Sequence, residues 1–318
     1  LRNGDSIELG AQKIRFWLGE TRQSGLRLYE SLVWIALAVI TAIEEEHLEG
    51  FGDLAGVLAE EASLLDGVVI AVVPGHDAAL VGEARRRAVR LIIAGIADRE
   101  VCADRATLNA DGTGSLTIGG VDVHVPLRGA HNMRNALLAI AVARACGIST
   151  DDAARGIAAL DPARMPGMRS SVEPLGEALL INDAYNANPG SARAALALLA
   201  AVAGPRPRVV ILGTMRELGA QTARAHRDVA REAVGSGAAL VAGIGEFGAA
   251  LREVAVGDAR VITAHDVDDL WPVLQRRLAP DAAILLKASR GVKLERIVPL
   301  LRDWAAVESP ATSPDRTG

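Results

Sequence analysis

The sequence predicts an α/β protein in two parts, each built on a mainly parallel sheet. Half of its 318 residues are hydrophobic but only 3% are aromatic, so Ala, Val, Leu and Ile must form the cores. Aliphatic runs of strand length alternate with helical segments along most of the chain, a pattern typical of parallel strands buried on both faces. A chain of this length supports two domains with separate cores.

The first part, residues 1–164, is predicted to be a mainly parallel sheet with a β-hairpin insertion. Strands are expected at residues 34–43, 67–73 and 89–94. Between residues 107 and 127, Gly and Asn turn signals separate short alternating segments, which indicates one or two hairpins. A helix over residues 131–145 should end at Gly147, and a second over residues 150–160 should begin at Ser149 or Thr150.

Pro162, Pro166 and Gly167 interrupt this pattern, so a second domain is predicted over residues 165–307. Five strands alternate there with five helices, as in a Rossmann-like, doubly wound sheet with right-handed crossovers. Strands are expected at 178–184, 208–213, 239–244, 260–263 and 282–287, and helices at 191–202, 226–235, 247–254, 267–278 and 292–304. Residues 308–318 are predicted to be a disordered tail.

Composition and charge argue against several classes of function. The formal net charge is −5 without a basic block, which disfavours nucleic acid as a partner. The longest mainly apolar run, residues 32–43, is too short to span a bilayer, and no signal peptide is visible. Cys102 and Cys146 fit no metal or redox spacing, as expected in a reducing compartment. We therefore expect a cytoplasmic protein with no nucleic acid partner and no membrane insertion.

Polar residues that follow the first strand of the second domain form the strongest candidate site. Active residues of open α/β sheets collect at the carboxyl ends of strands. Asp183, Asn186 and Asn188 lie within one short loop there, together with a tyrosine and a third amide. A turn plus a helix N-cap would account for Asn188 and Ser191 but not for the other residues. The group therefore favours a polar ligand.

Two further strands of the second domain are followed by candidate binding residues. Lys287, Ser289 and Arg290 form a basic, hydroxyl-bearing turn before a helix, which suits an anion. The alternative is that Ser289 caps the helix and the two cations are solvated. Glu217 lies in the turn over residues 213–219, which follows the strand predicted at 208–213.

The first domain contributes two weaker candidates. Asn132 and Asn135 are one helical turn apart, so both amides can meet one flat heteroaromatic ring, although Asn132 alone would also serve as an N-cap. His47 follows three consecutive glutamates after a predicted strand. That setting suits Mg²⁺ binding or proton handling, and a solvated acidic turn is the alternative.

Together these segments resemble the Mur ligase family of ATP-dependent amide-bond ligases. The resemblance rests on six segments in the family's order and near its spacing, from residue 6 to about 305: Glu8–Ala11, His47–Gly52, Gly129–Leu137, Asp183–Pro189, Gly213–Gly219 and Leu286–Arg290. The second and fourth favour the members that join D-alanyl-D-alanine (D-Ala-D-Ala) to UDP-N-acetylmuramoyl-tripeptide (UDP-MurNAc-tripeptide). They favour these over sibling ligases and folylpolyglutamate synthase.

The resemblance implies that ATP phosphorylates the substrate carboxylate, with Mg²⁺ on the phosphates, and that the dipeptide amine attacks the acyl phosphate. It assigns Glu8 and His47 to the metal ions and Asn135, with Asn132 beside it, to adenine. Arg169 or Arg164 would lie near the nucleotide, and Asp183 would face the ribose. The remaining residues would surround the γ-phosphate, the dipeptide or the intermediate: Asn186, Asn188, Glu217, Lys287, Ser289 and Arg290.

Three departures from the family pattern bear on activity. No G-x-x-x-x-G-K-[ST] loop occurs, and only seven residues precede Glu8, so we expect the chain to be an incomplete form lacking its P-loop and UDP-sugar domain. The family's carbamylated lysine corresponds to Glu61 or its neighbour, and we interpret Glu61, a shorter carboxylate, as its direct replacement at the metal. Thr214 stands where such sequences usually have Asp, so any interaction made there is weakened or absent.

Two other classes of function remain as alternatives to this ligase. One is a non-catalytic relative that binds a nucleotide or peptide. Within the enzyme class, another amide ligase of the family is also an alternative. In-frame upstream coding sequence containing Gly-Lys-Thr or Gly-Lys-Ser would favour the enzyme. The other is a nicotinamide oxidoreductase, which the sequence disfavours because no G-x-G-x-x-G joins the first strand and helix of the second domain.

We predict that residues 1–318 do not release phosphate from ATP in a ligase reaction. Without P-loop amides and lysine, the sequence lacks the family's grip on the β- and γ-phosphates. The measurement is phosphate release with ATP, Mg²⁺, UDP-MurNAc-tripeptide and D-Ala-D-Ala, with a complete ligase of the family as positive control. Release that depends on both ATP and the dipeptide would contradict this prediction.

Overall fold

The computed structural model describes residues 6–9, 12–15, 37–88, 90–96, 100–164 and 168–308. The chain divides into two compact units, residues 1–36 and residues 37–318. Within the first unit, two short strands pair as an antiparallel ribbon. Glu8 lies in that ribbon, of which the structure describes only the backbone. The predicted tail beyond residue 308 also lies outside the described residues.

Fifteen strands occur in the described residues. They are β1 (Ser6–Leu9), β2 (Gln12–Arg15), β3 (Leu37–Val39), β4 (Ile70–Pro74), β5 (Arg90–Ile96), β6 (Val101–Ala103), β7 (Arg105–Leu108), β8 (Gly114–Ile118), β9 (Val121–Val125), β10 (Ser171–Leu175), β11 (Ala178–Asp183), β12 (Arg208–Leu212), β13 (Leu240–Ile244), β14 (Val261–Ala264) and β15 (Ala283–Lys287).

Ten α-helices and several 3₁₀ turns complete the described part of the chain. The helices are α1 (Leu48–Phe51), α2 (Leu54–Ser63), α3 (Ala78–Arg87), α4 (Ala130–Ala145), α5 (Thr150–Ala158), α6 (Pro189–Val202), α7 (Thr222–Gly235), α8 (Glu246–Val254), α9 (Val267–Leu274) and α10 (Ile297–Glu308).

Residues 37–164 contain a parallel four-stranded sheet and an antiparallel three-stranded meander. The parallel sheet has the order β3-β4-β5-β6, and the meander has the order β7-β8-β9. Helix α4 packs between them, with Leu137 and Ile140 fully buried. The predicted hairpins are therefore confirmed, and Ser149 caps α5 as expected, its hydroxyl accepting from the Asp152 N–H at 3.1 Å.

Residues 168–308 form a six-stranded sheet with the order β10-β11-β15-β12-β13-β14. Five strands are parallel, and β10 pairs antiparallel with β11. The apolar runs of β11 and β15 contribute alternate side chains to two cores on opposite faces, as expected for strands between helical layers. The predicted α/β class with a doubly wound second sheet is confirmed.

Several predicted element boundaries were wrong for identifiable physical reasons. Strand β10 was missed because Pro174 interrupts its pattern, and proline in a strand is tolerated at a sheet edge such as this one. Helix α9 ends at Leu274, short of residue 278, and Pro272 inside it has no N–H to donate to the Asp268 carbonyl, which weakens this short helix. Lys293 adopts a left-handed conformation, φ 58°, that separates two 3₁₀ turns and delays α10 until Ile297.

No helix in the described part of the chain is long and apolar enough to span a membrane.

The packing of β13 against α8 predicts opposite effects of alanine at two glycines. A Cβ at Gly243 would lie 2.6 Å from Leu251 Cδ1 and 2.8 Å from the Phe247 carbonyl carbon, whereas a Cβ at Gly156, inside α5, meets nothing within 4 Å. We predict that Gly243→Ala lowers the free energy of unfolding by about 1–3 kcal/mol. Gly156→Ala should raise it by about 0.5–1 kcal/mol.

Urea denaturation followed by circular dichroism measures both glycine variants. Equal effects of the two substitutions, or a stabilising Gly243→Ala, would contradict the packing of β13 against α8.

Candidate functional site

A buried ion pair lies where β11 and β15 end side by side. Asp183 and Lys287 are register partners on these parallel strands. Lys287 Nζ lies 2.7 Å from Asp183 Oδ2, and the two side chains are only 4% and 13% exposed. The ammonium also donates to the Asn186 carbonyl at 2.5 Å. The alternative of a solvated Lys287 is therefore wrong.

The second carboxylate oxygen of Asp183 organises the turn that precedes β10. It accepts from the Ser170 N–H at 2.8 Å, while the Tyr185 N–H donates to the Met168 carbonyl at 3.1 Å. Met168 and Ser170 have φ values of 64° and 49°, which non-glycine residues adopt at a cost of about 1 kcal/mol each. These bonds hold Arg169 between two strained residues, with its guanidinium carbon 4.2 Å from the centre of the Tyr185 ring.

Asn188 connects α6 to the acidic segment that follows β3. Its Oδ1 accepts from the Ser191 N–H at 2.6 Å, and the Ser191 hydroxyl accepts from the Asn188 N–H, so the two residues form a capping box. Its Nδ2 donates to Glu44 Oε2 at 2.8 Å and also to Glu46. The capping interpretation is thus confirmed but incomplete, and the interpretation of a solvated acidic turn is wrong.

Burial raises the pKa of Glu46 above its ordinary value of 4.5, and the neighbouring Glu44 raises it further. The Asn188 amide, His47 and Lys287 oppose that shift. Two carboxylates that share one amide donor repel each other, and the repulsion grows when they leave water. The acidic segment is therefore held against α6 at an electrostatic cost.

His47 pairs with Glu217, a residue far away in the sequence. The ring Nδ1 contacts the Glu217 carboxylate, and the Glu49 N–H donates to the Glu217 carbonyl at 3.3 Å. Both His47 and Glu217 have left-handed backbones, with φ values of 54° and 66°. Leu48 lies in the same apolar cluster as Leu218, which anchors the contact. The two candidate segments therefore meet.

Ser289 and Arg290 lie beside a residue that the sequence did not single out. The Ser289 hydroxyl accepts from the Arg216 N–H at 2.9 Å and makes no capping bond, so its interpretation as a helix cap is wrong. The Arg216 guanidinium donates to the Gly291 carbonyl at 3.0 Å. The guanidinium carbon of Arg290 lies 5.3 Å from the Tyr185 ring centre.

The two amides on α4 share one helical face, as expected. Asn135 Nδ2 lies 3.5 Å from Asn132 Oδ1, and Asn132 Nδ2 donates to the Arg128 carbonyl at 2.8 Å. Gly129 is the N-cap of this helix, so Asn132 is not the cap. His131 lies beside them, and burial lowers its pKa.

Comparison with known proteins gives this geometry a context. The family model of the Mur ligase middle domain matches residues 8–143, and that of the Mur ligase glutamate ligase domain matches residues 164–290. The UDP-N-acetylmuramoyl-tripeptide–D-alanyl-D-alanine ligase of Bacillus subtilis (strain 168) is 30% identical over 304 residues, 92% of this chain and 64% of that protein. The corresponding ligase of Escherichia coli (strain K12) is 29% identical over 303 residues, 90% of this chain and 64% of that protein.

The chain belongs to the Mur ligase family. It spans 64% of the length of the two curated relatives. Among solved structures, MurF from Acinetobacter baumannii has a TM-score of 0.76 at 24% identity, covering 84% of this chain and 60% of that one. MurF ligase from Thermotoga maritima in complex with ADP has a TM-score of 0.71 at 19% identity, covering 86% and 63%. These likenesses establish the fold.

The structure describes the surroundings of the residues that stand at three positions of the Mur ligase pattern: Glu61, Thr214 and the arginine near the nucleotide, which is Arg164 or Arg169. Glu61 is exposed on α2, and Thr214 Oγ1 accepts from the Glu246 N–H at 3.1 Å, so this hydroxyl serves the start of α8. Arg164 is exposed in a 3₁₀ turn, whereas Arg169 contacts Tyr185. Of the two arginines considered for the nucleotide, Arg169 thus joins the other candidates.

One group of three potential metal ligands converges within the described ranges, namely His265, Asp266 and Asp269. It lies at the N-terminus of α9, where the helix dipole disfavours a cation, and Asp266 Oδ1 already accepts from the Asp269 N–H. His47 and Glu61 belong to no such group in this part of the chain.

Sequence reasoning missed Tyr185, Glu44, Glu46 and Arg216 as members of this site. Tyr185 and the glutamates lie inside segments already singled out, so their neighbours were the available signal. Arg216 also lies in such a segment, residues 213–219, but its role arises from the turn that places Gly291 under its guanidinium.

We predict that Glu46→Gln stabilises the protein above the pKa of Glu46 and not below it. A folded-state pKa raised above 4.5 means that Glu46 favours folding at low pH and that this contribution is lost as the pH rises. Glutamine keeps an acceptor for Asn188 without the charge. Thermal unfolding should therefore show a Tm above wild type by a few degrees at pH 8 and equal to it at pH 4.

Exposed Glu60, which makes no side-chain contact with Asn188, supplies the control variant Glu60→Gln. A Tm difference for Glu46→Gln that is the same at both pH values would contradict the arrangement of Glu44, Glu46 and Asn188.

Proposed function

We propose that this chain is the nucleotide- and acceptor-binding part of an ATP-dependent ligase. The ligase adds D-Ala-D-Ala to UDP-MurNAc-tripeptide during peptidoglycan precursor synthesis, in the cytoplasm. The observation that carries the proposal is the convergence of Asp183, Asn188, Lys287 and Arg290 at the ends of β11 and β15. Relatives with that activity, 29–30% identical along nine-tenths of the chain, support it.

The acceptor side of the proposed site is the turn after β15 together with Asn186. Arg290 has no carboxylate partner among the described residues, so its guanidinium is available to the carboxylate of a dipeptide. The Asn186 side chain is exposed beside it, while its carbonyl is held by Lys287. Ser289 is buried and fixes the Arg216 backbone, so its role here is to shape the turn.

The nucleotide side combines amides, a carboxylate and a cation. Asn132 and Asn135 present amide groups suited to the edge of adenine. Asp183 Oδ1 accepts from the N–H and the hydroxyl of Ser170, and Oδ2 pairs with Lys287, which leaves acceptor capacity on Oδ2 for a ribose hydroxyl. Arg169 suits a terminal phosphate. These residues fit the base, the ribose and one phosphate, and ATP would supply the phosphoryl group that activates the substrate carboxylate.

The described residues do not assemble a Mg²⁺ site. Magnesium prefers several oxygen ligands around one point, whereas the His47 ring nitrogen is paired with Glu217 and Glu61 is exposed on α2. The proposal that Glu8, His47 and Glu61 hold Mg²⁺ therefore needs an arrangement other than the one described.

What the chain's own residues contribute is orientation and a closed setting. Glu44 and Glu46 on Asn188, and His47 on Glu217, hold the segment after β3 against the second domain. An amine can attack an activated carboxylate only when both groups are held in reach and water is excluded. A dipeptide bound by Arg290 and Asn186 would present its amine next to Asn188, on the side of these glutamates.

We predict that residues 1–318 bind D-Ala-D-Ala and not L-Ala-L-Ala, because a preformed polar turn distinguishes the two stereochemistries. Arg290→Gln should weaken dipeptide affinity by about tenfold or more, the usual effect of losing a charged hydrogen bond. Isothermal titration calorimetry measures both effects. Arg276→Gln is the matched control, since Arg276 is exposed just after α9 and has no part in the proposed site.

Equal affinity for the two stereoisomers, or dipeptide binding that is unaffected by Arg290→Gln, would overturn the proposed acceptor site.

A further inference from the structure

The Tyr185 ring carries two arginines, Arg169 and Arg290. The guanidinium carbons of Arg169 and Arg290 lie 4.2 Å and 5.3 Å from its centre. Both distances are within the range of a cation–π interaction. Within the described ranges, neither arginine has an Asp or Glu within 4.0 Å, although surface arginines elsewhere in the chain are paired, such as Arg87 and Arg296. Two positive charges are thus gathered on one ring without a counter-charge.

This arrangement is fixed by the backbone on both sides. Arg169 is held between the left-handed residues Met168 and Ser170, which are bonded to Tyr185 N–H and to Asp183. Arg290 follows β15, the immediate neighbour of β11 in the sheet. Strained conformations that persist only because neighbours hold them tend to occur at functional sites. The two guanidiniums are therefore presented by the fold and do not drift together on long side chains alone.

We infer that Tyr185 is a positioning residue that holds Arg169 and Arg290 together as one site for an oxyanion. The ring's negative face offsets the repulsion between the two cations, and a ligand oxyanion completes the neutralisation. The chemistry shared by the possible ligands is a phosphate or carboxylate group. This inference rests on the proposed function only for the source of that oxyanion, which would be the nucleotide's phosphate or the dipeptide's carboxylate.

The role of the ring face separates two substitutions at Tyr185. Phenylalanine keeps an aromatic face for both cations but lacks the hydroxyl that accepts from the arginines, whereas leucine keeps only the volume. Removing two exposed cation–π interactions at once corresponds to about a five- to thirtyfold change in affinity. If Tyr185 had only a structural role, the phenylalanine and leucine variants would differ in binding only as far as they differ in folding.

The experiment measures binding of inorganic pyrophosphate to residues 1–318 by titration calorimetry. Tyr185→Phe should bind pyrophosphate clearly more tightly than Tyr185→Leu, which should weaken binding about five- to thirtyfold, with Arg276→Gln unchanged as control. The same variants are then titrated with D-Ala-D-Ala. The oxyanion is assigned to whichever of the two ligands, pyrophosphate or dipeptide, loses affinity when the aromatic ring is removed, because only that ligand uses both arginines.

Ultraviolet absorbance provides a second readout that does not depend on the leucine variant folding. The chain has two tyrosines, so Tyr29→Phe leaves Tyr185 as the single phenol. A hydrogen bond from Arg169 to the phenol and the positive charge of Arg169, followed by a hydrogen bond from Arg290, lower the pKa of Tyr185. Binding of pyrophosphate between the arginines should shift phenolate formation to higher pH.

The inference fails if pyrophosphate does not bind to wild type, if Tyr185→Leu binds as tightly as wild type, or if phenolate formation ignores pyrophosphate. These outcomes are separate from failure of the proposed function, which is decided by selectivity for D-Ala-D-Ala over L-Ala-L-Ala.

Discussion

The ion pair between Asp183 and Lys287 is the interaction on which the site depends. Burying two charges costs several kcal/mol per ion, and only good geometry with further hydrogen bonds offsets that cost. Here the pair is supplemented by the Ser170 N–H on one side and the Asn186 carbonyl on the other. The pair therefore orders both turns that carry candidate ligands, the one before β10 and the one after β11.

A second constraint joins the acidic segment after β3 to the start of α6 and the turn after β12. Asn188 caps α6 with one end of its amide and binds Glu44 and Glu46 with the other. His47 reaches Glu217 from the same segment. Contacts of this kind explain how two motifs from distant parts of a Mur ligase sequence form one site.

Much of this architecture could be predicted from sequence, because parallel strands and caps leave local signals. The aliphatic runs located β11, β12, β13 and β15 to within a residue or two, and Ser149 identified the start of α5. The edge strand β10 escaped because of Pro174, whose meaning depends on its place in the sheet.

The candidate site was predictable as a set of segments, but its internal contacts were not. That Lys287 faces Asp183, that Glu217 faces His47, and that Tyr185 carries two arginines all follow from strand register and turn geometry. None of these contacts leaves a periodic signal in the sequence. The structural alternatives for Ser289 and Asn132 failed for the same reason, since a cap depends on backbone angles that residue type alone does not specify.

A double-mutant cycle on Asp183 and Lys287 tests the central claim most directly. Free energies of unfolding would be measured by urea denaturation for wild type, Asp183→Asn, Lys287→Met and the double variant. Each single change should cost about 3–5 kcal/mol because it leaves a buried charge unpaired, and the double variant should lose clearly less than the sum. Small, additive losses would contradict the account, because they would mean that the pair does not hold the site together.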